Sequence, residues 1–267
     1  MAKIDKRMLV KIGGRAFEGP DGFCELAEAI KAQPHAEIII VHGGGKEISA
    51  ALKEADRQTV FIDGIRVTKA ADIKIVEAVL SGTVNRRIAS QLESSGIRCR
   101  RLSGRTNGLF SVRPLKRNGR DFGYVGEIHR VNAAVVLETL NNGRLPVISP
   151  ISADENGHSY NVNADSAASA LAVAAKCTDL VYLTDVPGVC VDEETQECLS
   201  VRQAGGLIAN GTIKGGMVAK MESAFEAIKG RVSRVHITRW EGPETFNHLL
   251  NHSSKTATII KERAVSK

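Results

Sequence analysis

Short apolar runs alternate with amphipathic stretches along most of the chain. Each run ends near a Gly or Asn, and the next stretch carries apolar residues at helical spacing, as Phe23, Leu26, Ala27 and Ile30 do. The runs predict strands over 8–12, 37–41, 97–102, 145–150, 179–184, 234–238 and 256–260. The amphipathic stretches predict helices around 23–30 and over 46–56, 70–95, 164–176 and 216–229.

Segments in which apolar and polar residues alternate, or which are rich in glycine, predict hairpins at 60–67, 110–126 and 188–199. Strands that alternate with helices indicate a largely parallel sheet covered on both faces. The predicted fold is therefore α/β, a three-layer αβα sandwich with a largely parallel central sheet and β-hairpins over the site. We expect a single domain, 1–267, whose N-terminal lobe (about 1–155) and C-terminal lobe (about 156–267) share one sheet.

The composition limits which classes of molecule the protein is expected to bind. The formal net charge of +6 favours anionic ligands, but the basic residues are scattered and form no basic arm, so nucleic acid is not an expected partner. No apolar run approaches the ~20 residues of a membrane span, and the start lacks the apolar core of a signal peptide. We therefore expect no membrane contact and a cytoplasmic location. The five cysteines include no CxxC pair, which indicates free thiols.

Two glycine-rich segments follow the first two predicted strands. "KIGG" puts Lys11 near a strand end, and "VHGGGKE" puts three glycines before a helix. Glycines let backbone N–H groups approach an anion closely, and a helix N-terminus adds positive charge. Neither segment is a Walker A loop or the GxGxxG fingerprint of dinucleotide folds. A solvated lysine and plain strand–helix turns remain the alternatives at this point.

Polar side chains also gather in two later segments. "DGIRVT" places Arg66 on a hairpin, where a guanidinium can bind a carboxylate in bidentate fashion, with an ordinary surface arginine as the alternative. In "YNVNADSAASALA", Asn161 and Asn163 lie two apart and share one side of an extended segment. Asp165 follows at the N-terminus of an Ala-rich helix. These groups predict a polar site, although helix capping by Asn or Asp can coexist with that site or explain them alone.

Two segments of the C-terminal half complete the candidate site. "LTDVPGV" ends a strand on Asp185 and a Pro-Gly turn, and "GTIKGGMVAK" has Lys214 before a helix and Lys220 near its start. A helix-surface lysine is the alternative for Lys220. The sequence has no plausible Ser-His-Asp set, and its histidines lack metal-ligand spacing, with only His42 beside a site loop. The pattern predicts a site that handles negative charge without a nucleophile or a metal ligand of its own.

Taken in order, these segments resemble the amino-acid kinase family. The resemblance covers roughly residues 7–262 and is closest to the members that act on N-acetyl-L-glutamate, which "YVGEI" and "GRLPVISPI" also resemble. The N-V-N-A-D segment and the GIRVT hairpin are its specific parts, because relatives for aspartate, glutamate, carbamate or UMP differ there. The chain departs from the family pattern at Lys46, in "SGRTNGLF" (103–110) and in "SSKTAT" (253–258). These departures bear on fine specificity.

The resemblance implies a role for each matched residue. Lys11 and Lys220 would contact the transferring phosphoryl group, and Asp165 would hold both lysines in place. The implied substrate-binding residues are Gly44, Gly45, Arg66, Asn161 and Asn163. The implied ATP-binding residues are Gly13, Gly14, Asp185, Val186, Pro187, Gly188, Val189, Cys190, Thr212, Ile213 and Lys214. The N-terminal lobe would hold the acyl-amino-acid site and the C-terminal lobe the nucleotide site.

The implied reaction transfers the γ-phosphoryl group of ATP to the side-chain carboxylate of N-acetyl-L-glutamate, in arginine or ornithine biosynthesis. ATP is the implied co-substrate, with Mg²⁺ bound mainly through its phosphates. The carboxylate is already ionised at neutral pH, so no general base is needed. Lysines, glycine amides and Mg²⁺ would offset the repulsion between two anions. The acyl phosphate product would need shielding from water.

Two alternatives stay open. One is a kinase for glutamate or aminoadipate carried on a small acidic amino-group carrier protein, although the N-V-N-A-D segment is unlike that of carrier-linked members. The other is a catalytically silent regulatory or binding subunit, which the presence of Lys11, Asp165 and Lys220 disfavours. Few residues precede the first strand, where arginine-inhibited hexameric members carry an extra helix. We therefore expect a homodimer that is insensitive to arginine.

Overall fold

The computed structural model describes residues 6–13, 22–117, 119–251 and 257–262. Within them the strands are β1 (Lys6–Ile12), β2 (Ala36–His42), β3 (Val60–Ile62), β4 (Ile65–Val67), β5 (Cys99–Ser103), β6 (Phe110–Arg117), β7 (Arg120–Val131), β8 (Leu145–Ser149), β9 (Ile151–Ala153), β10 (Ser159–Asn161), β11 (Asp179–Thr184), β12 (Cys190–Val191), β13 (Glu194–Thr195), β14 (Cys198–Ser200), β15 (Arg234–Arg239) and β16 (Ala257–Lys261). The helices are α1 (Gly22–Lys31), α2 (Gly45–Glu54), α3 (Ile73–Glu77), α4 (Asn85–Ser94), α5 (Ala134–Asn141), α6 (Ala164–Ala174), α7 (Val201–Ala209), α8 (Gly216–Lys229) and α9 (Thr245–Leu250).

Eight strands form the central sheet in the order β14-β16-β15-β11-β1-β2-β8-β5. All neighbouring pairs are parallel except β15 and β16. β1 and β11 lie in the middle, which explains why their sequences are nearly continuous apolar runs rather than alternating ones. The carboxyl ends of the parallel strands lie along one edge of the sheet, where ligands bind in open α/β folds.

Helices cover both faces of this sheet. Successive residues of β1 point to opposite faces. Met8 and Val10 belong to a hydrophobic cluster that includes residues of α1, α2, α4 and α9, whereas Leu9 belongs to a second cluster that includes residues of α5, α6, α7 and α8. This arrangement confirms the predicted three-layer αβα sandwich with a largely parallel sheet. Within the described ranges, no helix combines the length and the apolar character needed to cross a membrane.

A small closed barrel of β6, β7, β9 and β10 lies beside the central sheet, and the β3–β4 hairpin is joined to it. The N–H of Thr68 donates to the Phe122 carbonyl at 3.1 Å, and the Thr68 carbonyl accepts from the Tyr124 N–H at 2.7 Å. Gly123 lies between these partners at φ 66°, and a Cβ there would stand 2.4 Å from the Thr68 carbonyl oxygen. Only glycine fits at this contact, which fixes the hairpin to the barrel.

The structure differs from the predicted elements in several places. The sequence pattern did not predict α5, α7, α9, β9 or β10. α5 is only weakly amphipathic, and α9, β9 and β10 are too short to show a clear period. α7 contains Gly205 and Gly206, which disfavour a helix. The helix predicted over 70–95 contains a π-helical segment, Ala78–Val84, whose wider turns a 3.6-residue period does not reveal. Only β12 and β13 form the hairpin predicted at 188–199, and β14 joins the central sheet. The division into two lobes stays a prediction.

Candidate active site

Two buried lysines and a partly buried aspartate meet at the carboxyl edge of the central sheet. The Nζ of Lys11 lies 2.7 Å from Oδ1 of Asp165, and the Nζ of Lys220 lies 2.9 Å from Oδ2 of the same carboxylate. Lys11 is near the end of β1, Asp165 is in the first turn of α6, and Lys220 is near the start of α8. The structure therefore brings together the three residues that the resemblance assigns to the transferring phosphoryl group.

Local structure holds the Asp165 carboxylate in place. Asn163 is the N-cap of α6, and its Oδ1 accepts hydrogen bonds from the main-chain N–H groups of Asp165 (2.8 Å) and Ser166 (3.2 Å). Such a cap satisfies N–H groups that have no partner inside the helix. Tyr182 donates its hydroxyl to the main-chain carbonyl of Asp165 at 3.2 Å, and its ring lies 4.9 Å from Lys220 Nζ. Capping thus accounts for the Asn163 oxygen, and Tyr182 is a supporting residue that the sequence did not reveal.

This cluster carries an excess of positive charge. Burial alone would raise the pKa of Asp165, but the ammonium groups of Lys11 and Lys220 outweigh burial and hold that pKa at about 2. Burial lowers the pKa of Lys220, while the Asp165 carboxylate opposes that shift. Because one carboxylate faces two lysines, the cluster is suited to receive a further anion.

A cavity of about 620 Å³ opens beside Lys11, bordered by the start of α2, the β3–β4 hairpin and the segment before α6. The predicted site residues that line it are Lys11, Gly44, Gly45, Arg66, Asn161 and Asn163. All the substrate-binding residues implied by the resemblance therefore surround one space, whose volume is typical of small-molecule sites.

Arg66 is a cation of this cavity with no anionic partner among the described residues. Only 8% of the residue is exposed. Its Nη2 donates to the Gly45 carbonyl (2.8 Å) and to Ser49 Oγ (2.9 Å), and its Nη1 donates to Thr59 Oγ1 (3.2 Å). Burial lowers the pKa of Arg66. A buried guanidinium held by neutral acceptors is suited to bind a carboxylate from the cavity.

The glycines of "KIGG" and those of "VHGGGKE" have different surroundings in the structure. The main-chain N–H of Gly13 donates to the Leu183 carbonyl at 3.0 Å, so it is not available to a phosphate, contrary to the prediction. A Cβ at Gly13 would lie 2.9 Å from Lys11 Nζ, and the glycine instead leaves room for that lysine. Gly44 and Gly45 line the cavity, and their contact with the substrate stays a prediction. Gly14 lies outside the described residues.

Of the residues predicted to bind ATP, those that the structure describes line neither this cavity nor a second cavity of about 770 Å³ beside α6 and α8. Four of them are exposed, namely Asp185, Cys190, Thr212 and Lys214. Val189 and Ile213 belong to the hydrophobic core, and their N–H groups donate to Thr258 Oγ1 (2.7 Å) and to the Leu207 carbonyl (2.9 Å). The side chains and N–H groups of these two residues therefore support the loops, and their place beside the nucleotide stays a prediction.

Thr258 belongs to one of the segments that depart from the family pattern. It is buried on β16, and a Cβ at Gly188 would lie 2.5 Å from its Oγ1, the atom that accepts the Val189 N–H. Gly188 thus allows the loop after β11 to lie against β16. The preceding residues 252–256 are outside the described ranges.

Several cavity residues were not predicted from the sequence. Phe61 pairs with Arg66 across the β3–β4 hairpin, and its ring lies 4.8 Å from the guanidinium. Ser49 follows Gly45 by four residues, one helical turn, and so lies on the same side of α2. The hairpin register and this spacing are signals that identify both residues. Leu80 lines the cavity from the π-helical segment, and no sequence pattern indicates that.

Comparison with known proteins identifies the relatives of this chain. The family model described as "Amino acid kinase family" matches residues 6–239. The acetylglutamate kinase of Chloroflexus aurantiacus is 40% identical over 237 residues, which cover 88% of this chain and 92% of the relative. That of Carboxydothermus hydrogenoformans is 40% identical over 250 residues, covering 87% and 84%. A solved structure of a Streptococcus mutans protein has a TM-score of 0.81 at 26% identity, covering 96% of this chain and 99% of that one. The chain therefore belongs to the amino acid kinase family.

Proposed function

We propose that this member of the family transfers the γ-phosphoryl group of ATP to the side-chain carboxylate of N-acetyl-L-glutamate, in arginine biosynthesis. The observation that carries the proposal is the excess of positive charge in and beside one cavity: Lys11 and Lys220 share the single carboxylate of Asp165, and Arg66 lies elsewhere on the cavity wall with no anionic partner among the described residues. Acetylglutamate kinases that align with most of this chain support the identity of the substrate. N-acetyl-L-glutamate has two carboxylates, which matches two separate cationic positions.

The two carboxylates of the substrate are proposed to bind at different ends of the cavity. Arg66 would bind the α-carboxylate through its planar guanidinium, and the side-chain carboxylate would point toward Lys11. Asn161 donates one Nδ2 hydrogen to Thr68 Oγ1 at 3.2 Å and keeps the second hydrogen for the substrate. Apolar wall residues, among them Ile48 and Leu80, would pack against the rest of the substrate.

In the proposed step, a carboxylate oxygen of the substrate attacks the γ-phosphorus of ATP. The bond from that phosphorus to the oxygen bridging to ADP breaks, and the products are an acyl phosphate and ADP. No proton is transferred, because the attacking carboxylate is ionised at neutral pH. Lys11 and Lys220 would stabilise charge on the phosphoryl oxygens from two sides, since each is held on a different oxygen of Asp165. Their positions are set before the reaction begins, which is how electrostatic stabilisation arises at such sites.

We propose that the nucleotide lies along the loops 185–190 and 212–214. The exposed side chains of Asp185, Thr212 and Lys214 are available to it, while Val189 and Ile213 fix the shape of the loops. Mg²⁺ would be bound mainly by the phosphates, because the Asp165 carboxylate already bonds two ammonium groups. The metal would neutralise charge on the phosphates as the acyl phosphate forms.

A comparison of acceptors tests the proposal against its alternatives. ADP formation is measured with MgATP and, in turn, N-acetyl-L-glutamate, L-glutamate, and glutamate attached to a small acidic carrier protein. We expect N-acetyl-L-glutamate to have the highest kcat/KM. Turnover only with the carrier-bound substrate would indicate a carrier-dependent kinase, and no turnover with any acceptor would indicate a silent subunit.

Arg66→Lys should raise the KM for N-acetyl-L-glutamate by about 10- to 100-fold, the worth of a hydrogen bond to a charged group. A lysine keeps the positive charge but lacks the planar guanidinium, which donates to both oxygens of a carboxylate. The KM for ATP should not change, because Arg66 is on the substrate side of Lys11. Steady-state kinetics with each substrate varied in turn measure both constants.

The matched control for this variant is Arg113→Lys, since Arg113 is on β6 with its side chain 66% exposed and paired with Glu127. That variant should behave as the unmodified enzyme does. An unchanged KM for N-acetyl-L-glutamate in Arg66→Lys would show that Arg66 does not bind the substrate carboxylate.

The homodimer and the cytoplasmic location stay predictions.

A further inference from the structure

A buried histidine lies directly behind the glycine loop. His42 ends β2, and its Nδ1 lies 2.8 Å from the main-chain carbonyl oxygen of Gly43. It does not line the 620 Å³ cavity. It lines instead a small cavity of about 50 Å³, which shares only Gly43 and Gly44 with the large one. The ring therefore supports the loop from behind rather than facing the substrate.

The other ring nitrogen of His42 is held by Asn85, the first residue of α4. Asn85 is buried, and its Nδ2 lies 3.0 Å from His42 Nε2. The same Nδ2 donates to the Val147 carbonyl at 2.9 Å, and the Asn85 Oδ1 accepts from Arg101 Nε at 3.0 Å. These two contacts fix which end of the amide is the donor, and an amide nitrogen cannot accept from the ring. The second Nδ2 hydrogen has two acceptors in reach, and we assign it to His42 Nε2 at 3.0 Å rather than to the Leu102 carbonyl at 3.4 Å.

The tautomer of His42 follows from this orientation. Because Nε2 accepts a hydrogen bond, the ring carries its proton on Nδ1, and that N–H donates to the Gly43 carbonyl. Burial lowers the pKa of His42 to about 4; the Gly43 carbonyl and Glu47 oppose this shift with smaller effects, and Arg87 adds slightly to it. The ring is therefore neutral at physiological pH, and nothing in the proposed reaction requires it to exchange a proton.

The bond to the Gly43 oxygen sets the direction of the next N–H group. In a trans peptide the C=O of one residue and the N–H of the next point in opposite directions, and the described residues contain no cis peptide bond. The Gly44 N–H therefore points away from His42. It has no hydrogen-bond partner within the described parts of the chain, and Gly44 lines the large cavity. Glycine by itself permits other peptide orientations, so an outside contact has to select this one.

We propose that His42 is a positioning residue: its neutral ring, oriented by Asn85 and Arg101, holds the Gly43–Gly44 peptide so that the Gly44 N–H faces the transferring phosphoryl group. This inference rests on the proposed phosphoryl transfer. A peptide flipped in the opposite sense would turn a carbonyl oxygen toward the phosphate and repel it. Fixing the donor before the reaction avoids reorganisation in the transition state.

Kinetic variants test the role in catalysis. His42→Phe fills the space but removes both ring nitrogens, and we expect it to lower kcat about 10²-fold, the effect of a misplacement of about 1 Å in an active site. The KM for N-acetyl-L-glutamate should change little. His42→Gln keeps an N–H donor and should recover part of the lost kcat. Circular dichroism checks that both variants fold.

Arg101 offers a milder perturbation of the same network, because its side chain acts on His42 only through Asn85. Arg101→Met should lower kcat by a smaller factor than His42→Phe. Its matched control is Arg100→Met, the neighbouring position of β5, which should keep the unmodified kcat. Unchanged kcat in both a folded His42→Phe enzyme and Arg101→Met would overturn the proposal.

Nitrogen-15 NMR of histidine-labelled, unmodified protein tests the tautomer, with His42→Gln needed only to assign the signals. The chain has seven histidines, and the His42 signals are assigned by their loss in His42→Gln. We expect a protonated Nδ1 and an unprotonated Nε2 between pH 6 and 8. A proton on Nε2, or on both nitrogens, would overturn the proposal. This readout does not depend on the acceptor, so an error in the proposed substrate would leave it unaffected.

Discussion

Replacing Lys220 by methionine should lower kcat by about 10²- to 10³-fold, the loss that follows removal of one preorganised electrostatic contact to a transition state. Methionine keeps much of the apolar length over the Tyr182 ring but removes the ammonium group 2.9 Å from Asp165. The KM for N-acetyl-L-glutamate should change little, because Lys220 does not line the substrate cavity. Lys11→Met should reduce kcat by a similar factor and also raise that KM, since Lys11 lines the cavity. Steady-state kinetics at saturating MgATP measure both effects.

Lys229→Met is the matched control for Lys220→Met, because it removes a lysine from the same helix where the side chain is 79% exposed. It should leave kcat unchanged. If both Lys11→Met and Lys220→Met turned over at the unmodified rate, the cluster around Asp165 would not be the site of phosphoryl transfer.

Gly45→Val should reduce kcat/KM by at least about 10²-fold, since groups near the reacting atoms tolerate only small displacements, while leaving stability within about 0.5 kcal/mol. A Cβ at Gly45, the first residue of α2, meets no atom within 4 Å. Because Gly45 lines the cavity, the added methyl groups would occupy substrate space rather than disturb the core. Activity assays and urea unfolding of the same preparation separate the two effects.

The neighbouring glycine should behave differently. At Gly44 a Cβ would lie 2.7 Å from Leu80 Cδ2 and 3.3 Å from Val84 Cγ2, so Gly44→Val should lose both activity and about 1–3 kcal/mol of stability through overpacking. Adding Leu80→Ala should recover stability but not activity. Gly206→Val is the control for a valine at an exposed helical glycine with open space around it.

A folded Gly45→Val enzyme with the unmodified kcat/KM would show that the loop does not border the substrate.

Lys11, Asp165 and Lys220 show how much of the site could be predicted from the sequence. Each lies near the start or end of a strand or helix that is long enough for its hydrophobic periodicity to be recognised. The carboxyl ends of parallel strands lie at one edge of the sheet, where ligands bind. The fold class and the meeting of these residues follow from that pattern. Their roles, and those of Arg66 and Asn161, came from the resemblance, because spacing alone left a solvated lysine or a surface arginine equally open.

Other features of the site depend on tertiary contacts that no local pattern records. Gly13 was predicted to offer its N–H to a phosphate, but the pairing of β1 with β11 gives that N–H to Leu183. Val189 and Ile213 were assigned to the nucleotide site only by the resemblance, and the sequence did not reveal that both are buried in the core. His42 was noted only as a residue beside a loop, because its partner Asn85 is 43 positions away in the sequence.

Trapping of the product tests the central claim most directly. The enzyme is incubated with MgATP, N-acetyl-L-glutamate and hydroxylamine, which converts an acyl phosphate to a stable hydroxamate. We expect hydroxamate to form in a one-to-one ratio with ADP, and its formation to be lost in Lys220→Met. ADP release without hydroxamate, or hydroxamate formation that persists at the full rate in Lys220→Met, would contradict it.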